Sequence, residues 1–336
     1  MLIFFVSPVK LISIVSFINQ IPLIHVKLTL QVVTMNPILN VAAKDVYEGI
    51  KTKRFIITLA VFVLAGMGMA YWTKSVLMNM QIEGVNTVNI LRGSQISSVK
   101  YFLAILGMLI GADAINRETE EGTIKVTLSH PIYRDQFILG KFLGRAATLT
   151  VAFLLFAVAS LASMLVVGIP PNMELLMTFV KPLPFFLLFS LVYLALGMLL
   201  SVLIKKPATA IIVAIILPIF IEFLYPTVVS IVVVIEAMHS SGLSQAALQD
   251  AISKVNLFLS VVPGYHLQNI TNAIFYGVTS SQMTQGGVGM ALSESYTAPP
   301  YFEALSLAWK NIVILAVMLL LPFAFMYVKF MRTDLR

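Results

Sequence analysis

Glu120 and Glu121 stand side by side, with Lys125 four residues on. Adjacent carboxylates can move protons to and from a bound water. A metal-dependent hydrolase would add histidines at fixed spacing, but His25, His130, His239 and His266 form no HExxH-type pattern. Cysteine is absent, which excludes disulfides, thiolate metal sites and a catalytic thiol. Gly140-Lys141 resembles the end of a phosphate-cradling loop, but Phe142 follows where a Ser or Thr hydroxyl would be needed. Met67, Met69, Met78 and Met80 are soft sulfur donors that suit Cu(I). With no histidine beside them, apolar packing is the better reading. The chain is therefore expected to be no enzyme and to hold no metal or cofactor of its own.

The elements around these residues belong to a membrane. The chain has 336 residues, of which 59% are apolar and 11% charged, against about 25% charged in a soluble domain. Mean hydropathy is +0.95. Several apolar runs are long enough to cross ~30 Å of hydrocarbon as helices. Six spans are predicted: 55–72, 99–115, 143–167, 183–204, one starting near Ala208, and 305–328. The fold class expected is an all-α integral membrane bundle of six spans (55–336), preceded by an interfacial helix (35–54). Ala208 to Met238 would be ~46 Å as one helix, too long for a simple crossing, so Pro218 and Pro226 are expected to bend or break it.

Basic residues set the orientation. Fourteen lie at one set of span ends: Lys44, Lys51, Lys53, Arg54, Arg117, Lys125, Arg134, Lys141, Arg145, Lys205, Lys206, Lys329, Arg332 and Arg336. Six lie opposite: Lys74, Arg92, Lys100, Lys181, Lys254 and Lys310. The excess puts both ends of the six-span unit in the cytoplasm of a cell membrane. The net charge of +7 is thus a topology signal, and no nucleic-acid partner is expected.

Between Asn36 and Phe55, Leu39, Ala43, Val46 and Ile50 recur at helical spacing, with Lys44, Asp45, Glu48 and Lys51 elsewhere on the wheel. This pattern predicts an amphipathic helix lying in lipid at the inner face. Residues 1–34 read as an extra anchor, a poor signal peptide, or sequence upstream of a true start at Met35. The last is preferred, because the amphipathic pattern begins directly after it. The long segment 239–304, on the outer side, is of mixed polarity with no span-length run, and its "QGGVGM" and "APP" read as loop. Within it, Asn269-Ile270-Thr271 is a glycosylation sequon.

Two features remain as candidate sites. Glu222 falls about 21 Å along span five, where a carboxylate lines a pathway or is a buried acid bonded to a neighbouring helix. The excursion Ile115–Arg145 holds nine charged residues, including Arg117, Glu118, Glu120, Glu121, Arg134, Asp135 and Lys141. Gly122 and Pro131 break it, and Thr123 can cap the segment after Gly122. Both signs of charge are present, which suits a protein docking surface better than anionic lipid. Gly107-xxx-Gly111 in span two is read as helix packing.

Glu118, Gly122-Thr123, Pro131, Arg134 and Gly140-Lys141 resemble the signature that joins spans two and three in type-2 ABC transporter permeases. The subset linked to multicopper-enzyme maturation looks closest. The resemblance runs from about Met35 to Arg336. It implies that Ile115–Arg145 contains the helix that couples to a separate ATP-binding subunit. It also implies a second permease copy, alike or different, and export by alternating access. Glu118, Glu120, Glu121, Gly122, Thr123, Pro131, Arg134 and Lys141 are then the coupling residues. The outer segment is longer than the short re-entrant pair of that family. Intramembrane prenyl-protein peptidases carry a similar glutamate pair, but with Arg where Lys125 stands. The alternatives are a non-transporting membrane scaffold or assembly factor, and a secondary transporter, although two similar halves are not evident.

Overall fold

The computed structural model describes residues 36–79, 87–124, 132–166, 173–241, 245–279 and 299–332. Expectations for residues 1–34, Met35, Lys125, Pro131, the Gly-rich run 285–290 and Arg336 fall outside them. Among the described residues every regular element is helical. The order is α1 (Pro37–Lys51), α2 (Lys53–Asn79), α3 (Thr87–Ala112), α4 (Asn116–Glu120), α5 (Arg134–Val166), α6 (Met173–Val180) and α7 (Leu183–Leu203). It continues with α8 (Pro207–Ile219), a π-turn (Phe220–Leu224), α9 (Tyr225–Ser241), α10 (Gln245–Leu259), α11 (Pro263–Tyr276) and α12 (Tyr301–Arg332).

Among the described residues five stretches are long and apolar enough to cross a membrane: Val99–Glu120, Arg134–Ser163, Leu176–Leu203, Pro207–His239 and Tyr301–Arg332. Within α2 the apolar segment Phe55–Gly68 is shorter. The chain is thus a multi-pass helical membrane protein.

α3 and α7 form the central pair. Gly111 of α3 lies so close to α7 that a Cβ there would stand 2.5 Å from the Leu194 carbonyl oxygen. Gly107 meets the Ser190 carbonyl, and Gly197 of α7 meets the Met108 carbonyl. Small residues on both helices let the backbones touch, which replaces the hydrophobic drive that lipid cannot supply. The Gly107-xxx-Gly111 motif is therefore an intrachain seam. Leu103, Met108, Phe189 and Tyr193 are fully buried around it. α7 packs on α12 as well, and α12 on α11.

The stretch from Pro207 to Ser241 runs on as helix through the π-turn, which holds Glu222 and lies between Pro218 and Pro226. Pro226 has no N–H to give the carbonyl four residues back, and the widened turn before it takes up that loss. In the outer segment, residues 245–276 hold α10 and α11. α11 is buried on nearly every side, so it shows no apolar stripe. At 14 residues it is also too short to read as a span. Pro299 and Pro300 do lie in loop, just before α12.

Candidate functional site

The excursion after α3 is shaped from below by α7. Ser201 Oγ accepts from the backbone N–H of Ile115 at 2.8 Å and of Asn116 at 3.0 Å. It acts as an N-cap supplied by another helix, because the first amides of α4 have no partner within their own helix. Asn116 Nδ2 donates to the Ile204 carbonyl at 3.1 Å. These bonds hold α4 against the end of α7. The far side of α4 stops at Gly122, whose φ of +73° a β-carbon would resist. The Thr123 hydroxyl donates back to the Glu118 carbonyl at 3.3 Å, so it closes the preceding turn.

α4 then presents two faces. Glu118 points inward and is buried. Glu120 and Glu121 point outward and are exposed. Lys141, on the second turn of α5, is buried too and places its Nζ 2.5 Å from Glu118 Oε1 and 2.6 Å from Asp45 Oδ1. Arg145 Nε lies 3.1 Å from Asp45 Oδ2, and its Nη1 lies 3.4 Å from Asp113 Oδ1. Arg117 closes the rim, 2.9 Å from Glu121 and 4.0 Å from Asp113. Three buried carboxylates thus share the buried Lys141 and the half-buried Arg145, with Arg117 half exposed beside them.

Asp45 reaches this network because α1 is clamped to α5. A Cβ on Gly140 would stand 2.7 Å from the Ile38 carbonyl oxygen, and one on Gly144 2.8 Å from Asp45 Cβ. Val41, Asp45 and Gly49 form the buried stripe of α1. The expected apolar stripe does not face the bundle: Leu39 and Ala43 are exposed, while Val46 and Ile50 are half-buried. One face of α1 is used for α5, leaving Leu39 and Ala43 for the surroundings.

Beside the network lies a cavity of about 880 Å³. Lys51, Arg117 and Arg145 line its charged end, and Leu106, Ile211 and Ile215 its apolar wall. It is bounded by α1, α2, α3, α5 and α8.

Of the expected coupling residues, Glu120, Glu121 and Thr123 are exposed and Arg134 is half-buried. Glu118 and Lys141 are buried in the ion-pair network. Pro131 lies outside the described residues. Lys100 stands inside α3, about 18 Å from its Ala112 end. Asn269 is 2% exposed within α11, and its amide donates to the Tyr265 carbonyl at 3.0 Å. A sequon buried inside a helix offers no free amide to a glycosylating enzyme. Sequence reading missed Asp45, Asp113, Arg145 and Ser201. One signal was present: Gly140-xxx-Gly144 flanks Lys141 and precedes Arg145, the pattern of a close helix seam with cations on its edge.

The sequence profile of the ABC-2 family transporter proteins matches residues 39–335. This chain belongs to the ABC-2 transporter family. That family and the apolar helices make it a multi-pass membrane protein. It is similar to the "Probable ABC transporter permease protein NosY" of Stutzerimonas stutzeri, 28% identical over 141 residues, covering 41% of this chain and 50% of that one. The protein of the same name from Pseudomonas aeruginosa is 30% identical over 166 residues, covering 48% and 58%. The ABC-2 chain thus spans about half the length of the curated relatives it matches.

Proposed function

We propose that this ABC-2 permease is one of two membrane subunits of an exporter, and that the outward face of α4 receives the motion of a separate ATP-binding subunit. One observation carries this reading. Glu120 and Glu121 stand exposed on a five-residue helix whose opposite face is locked to α1 and α5 by Glu118, Lys141 and Asp45. A push on α4 is then passed to three elements together, because a buried ion-pair lattice resists shear better than a solvated loop. Unlike charges at the rim supply register, since mismatched like charges repel.

In this reading six helices of each copy cross the membrane, α2 included. The basic end, with Lys205, Lys206 and Lys329, faces the cytoplasm. α1 lies along the membrane surface with Leu39 toward lipid. Alternating access opens the cavity between α2, α3 and α8 to the cytoplasm in one state and closes it in the other. A membrane scaffold without transport would use the same surface for docking alone.

The test is charge reversal of Glu120, Glu121 and Arg134 together. Each exposed pair contributes only ~0–1 kcal/mol, so one reversal should do little. The triple variant is expected to insert normally, to lose co-purification with the ATP-binding subunit, and to lose coupled ATP hydrolysis. Unchanged co-purification would reject the docking surface. Lost hydrolysis with retained docking would separate coupling from assembly.

A further inference from the structure

Glu222 carries more than its depth in the membrane implies. It is 1% exposed and sits in the π-turn of the long helix. Its Oε1 accepts two hydrogen bonds: from the Tyr193 hydroxyl of α7 at 2.6 Å and from the Gly264 N–H at 2.8 Å. Gly264 is the second residue of α11, so its N–H is one of the free donors at that helix start, where the backbone dipoles favour negative charge. Oε2 is buried with no hydrogen-bond partner. It lies so close to Gly264 that any Cβ there would collide with it.

One carboxylate therefore joins three helices. The join is the direct polar link between the π-turn and α11 among the described residues. Lys100 of α3 is the nearest cation and acts on Glu222 through its charge. It makes no ion pair with it, and its Nζ sits over the Tyr101 ring at 5.1 Å. Tyr101 in turn packs edge-on against Phe223, next to Glu222. From α11, His266 is engaged elsewhere, with Asn311 Oδ1 and the Ser260 carbonyl oxygen. The titratable and charged groups around Glu222 are therefore Lys100, Tyr101, Tyr193 and His266.

We infer that Glu222 is a proton-binding latch: its carboxylate pins the start of α11 to the π-turn, and a proton on Oε2 releases it. The chemistry comes from the donor set. As an anion, Glu222 is matched to a phenol O–H, a helix start and a nearby ammonium. When a proton adds to Oε2, that oxygen becomes a donor. Among the described residues no hydrogen-bond partner stands at that oxygen. The proton also removes the negative charge that the helix start favours. The π-turn makes the release mechanically cheap, because it is already a departure from α-geometry and such turns recur where helices must adjust. The ligand class is a hydron drawn from water, and the effect is freedom of the α10–α11 pair relative to the π-turn.

This inference rests on neither ATP coupling nor direction of transport, and it is tested without nucleotide. The cysteine-free chain takes spin labels at Ile212→Cys, on the helix that leads into the π-turn, and at Val261→Cys, just before α11, both exposed, in nanodiscs. Distance distributions are recorded from about pH 8.5 to about pH 5, a span that starts above and approaches the ordinary carboxylate range. One narrow population is expected at high pH, with a second, broader one growing as pH falls. Glu222→Gln fixes the neutral form and should show the mixed distribution at every pH. Gly264→Ala forces the carboxylate away and should show the broad population even at the alkaline end. A single unchanging distance in the unmutated chain overturns the latch. So does a pH response that survives in Glu222→Gln, which would belong to His266 or another group. Size-exclusion profiles identify any variant that fails to fold, and the titration of the unmutated chain stands without either variant.

Discussion

Lys141 Nζ lies 2.6 Å from Asp45 Oδ1, across 96 residues of sequence and two helices whose backbones meet at Gly140 and Gly144. Both residues are buried, and the same ammonium also holds Glu118. The pair therefore joins the first helix of the bundle to the short helix that carries the exposed glutamates. Desolvating such charges costs several kcal/mol each, and the interaction offsets this only while every partner is present.

Lys141→Met is expected to be among the most damaging substitutions at this end. It leaves Asp45 and Glu118 buried with Arg145 as the remaining close cation. Breaking a buried pair this way costs about 3–5 kcal/mol. The thermal unfolding midpoint in detergent should fall clearly, and Asp45→Asn added to Lys141→Met should recover part of the loss. An unchanged midpoint in the single variant would mean that water reaches the network.

The α3–α7 seam gives a steric prediction. Gly111→Leu drives a side chain into the Leu194 carbonyl, and overpacking of this kind costs about 1–3 kcal/mol or more. Gly68→Leu is the control, because a Cβ at Gly68 would meet nothing within 4 Å. Monodisperse yield by fluorescence-detected chromatography should drop for Gly111→Leu and hold for Gly68→Leu. Equal yields would show that the two helices separate freely.

Orientation is tested by labelling single cysteines with an impermeant maleimide. Lys205→Cys is exposed at the basic end and Val261→Cys is exposed near the opposite end. Intact cells should label position 261 and leave 205 unlabelled until they are permeabilised. The reverse pattern would invert the topology and remove α4 from the cytoplasm.

Asn269 supplies a fourth test. Expression in a glycosylating eukaryotic host should leave the protein without added mass at this position, because the amide is bonded inside α11. A glycan at Asn269, removable by a glycosidase, would require α11 to be open while the modifying enzyme acts.

Much of the fold is legible in composition. Apolar runs of span length and basic clusters at their ends are consequences of lipid as a solvent, and they are written locally. Gly122 likewise marks a helix stop by itself, since its positive φ is a property of one residue. Gly107-xxx-Gly111 announces a seam, because close approach needs small residues at that spacing.

What only the tertiary structure decided is which charges meet. Glu118 and Glu120 differ by two positions in one short helix, yet one is buried with Lys141 and the other is exposed. No local pattern separates them, because the direction of α4 is set by Ser201 and Ile204, which stand 86 and 88 residues away from their partners in the chain. Asp45 looked like the polar side of an amphipathic helix and became the centre of an ion-pair network once Gly144 admitted it. α11 was invisible for the same reason: a helix surrounded on all sides carries no amphipathic period. The sequence by itself determined a basic-ended apolar bundle with a charged excursion. Long-range contact alone selected which of those charges are held inside and which remain on the surface to be pushed.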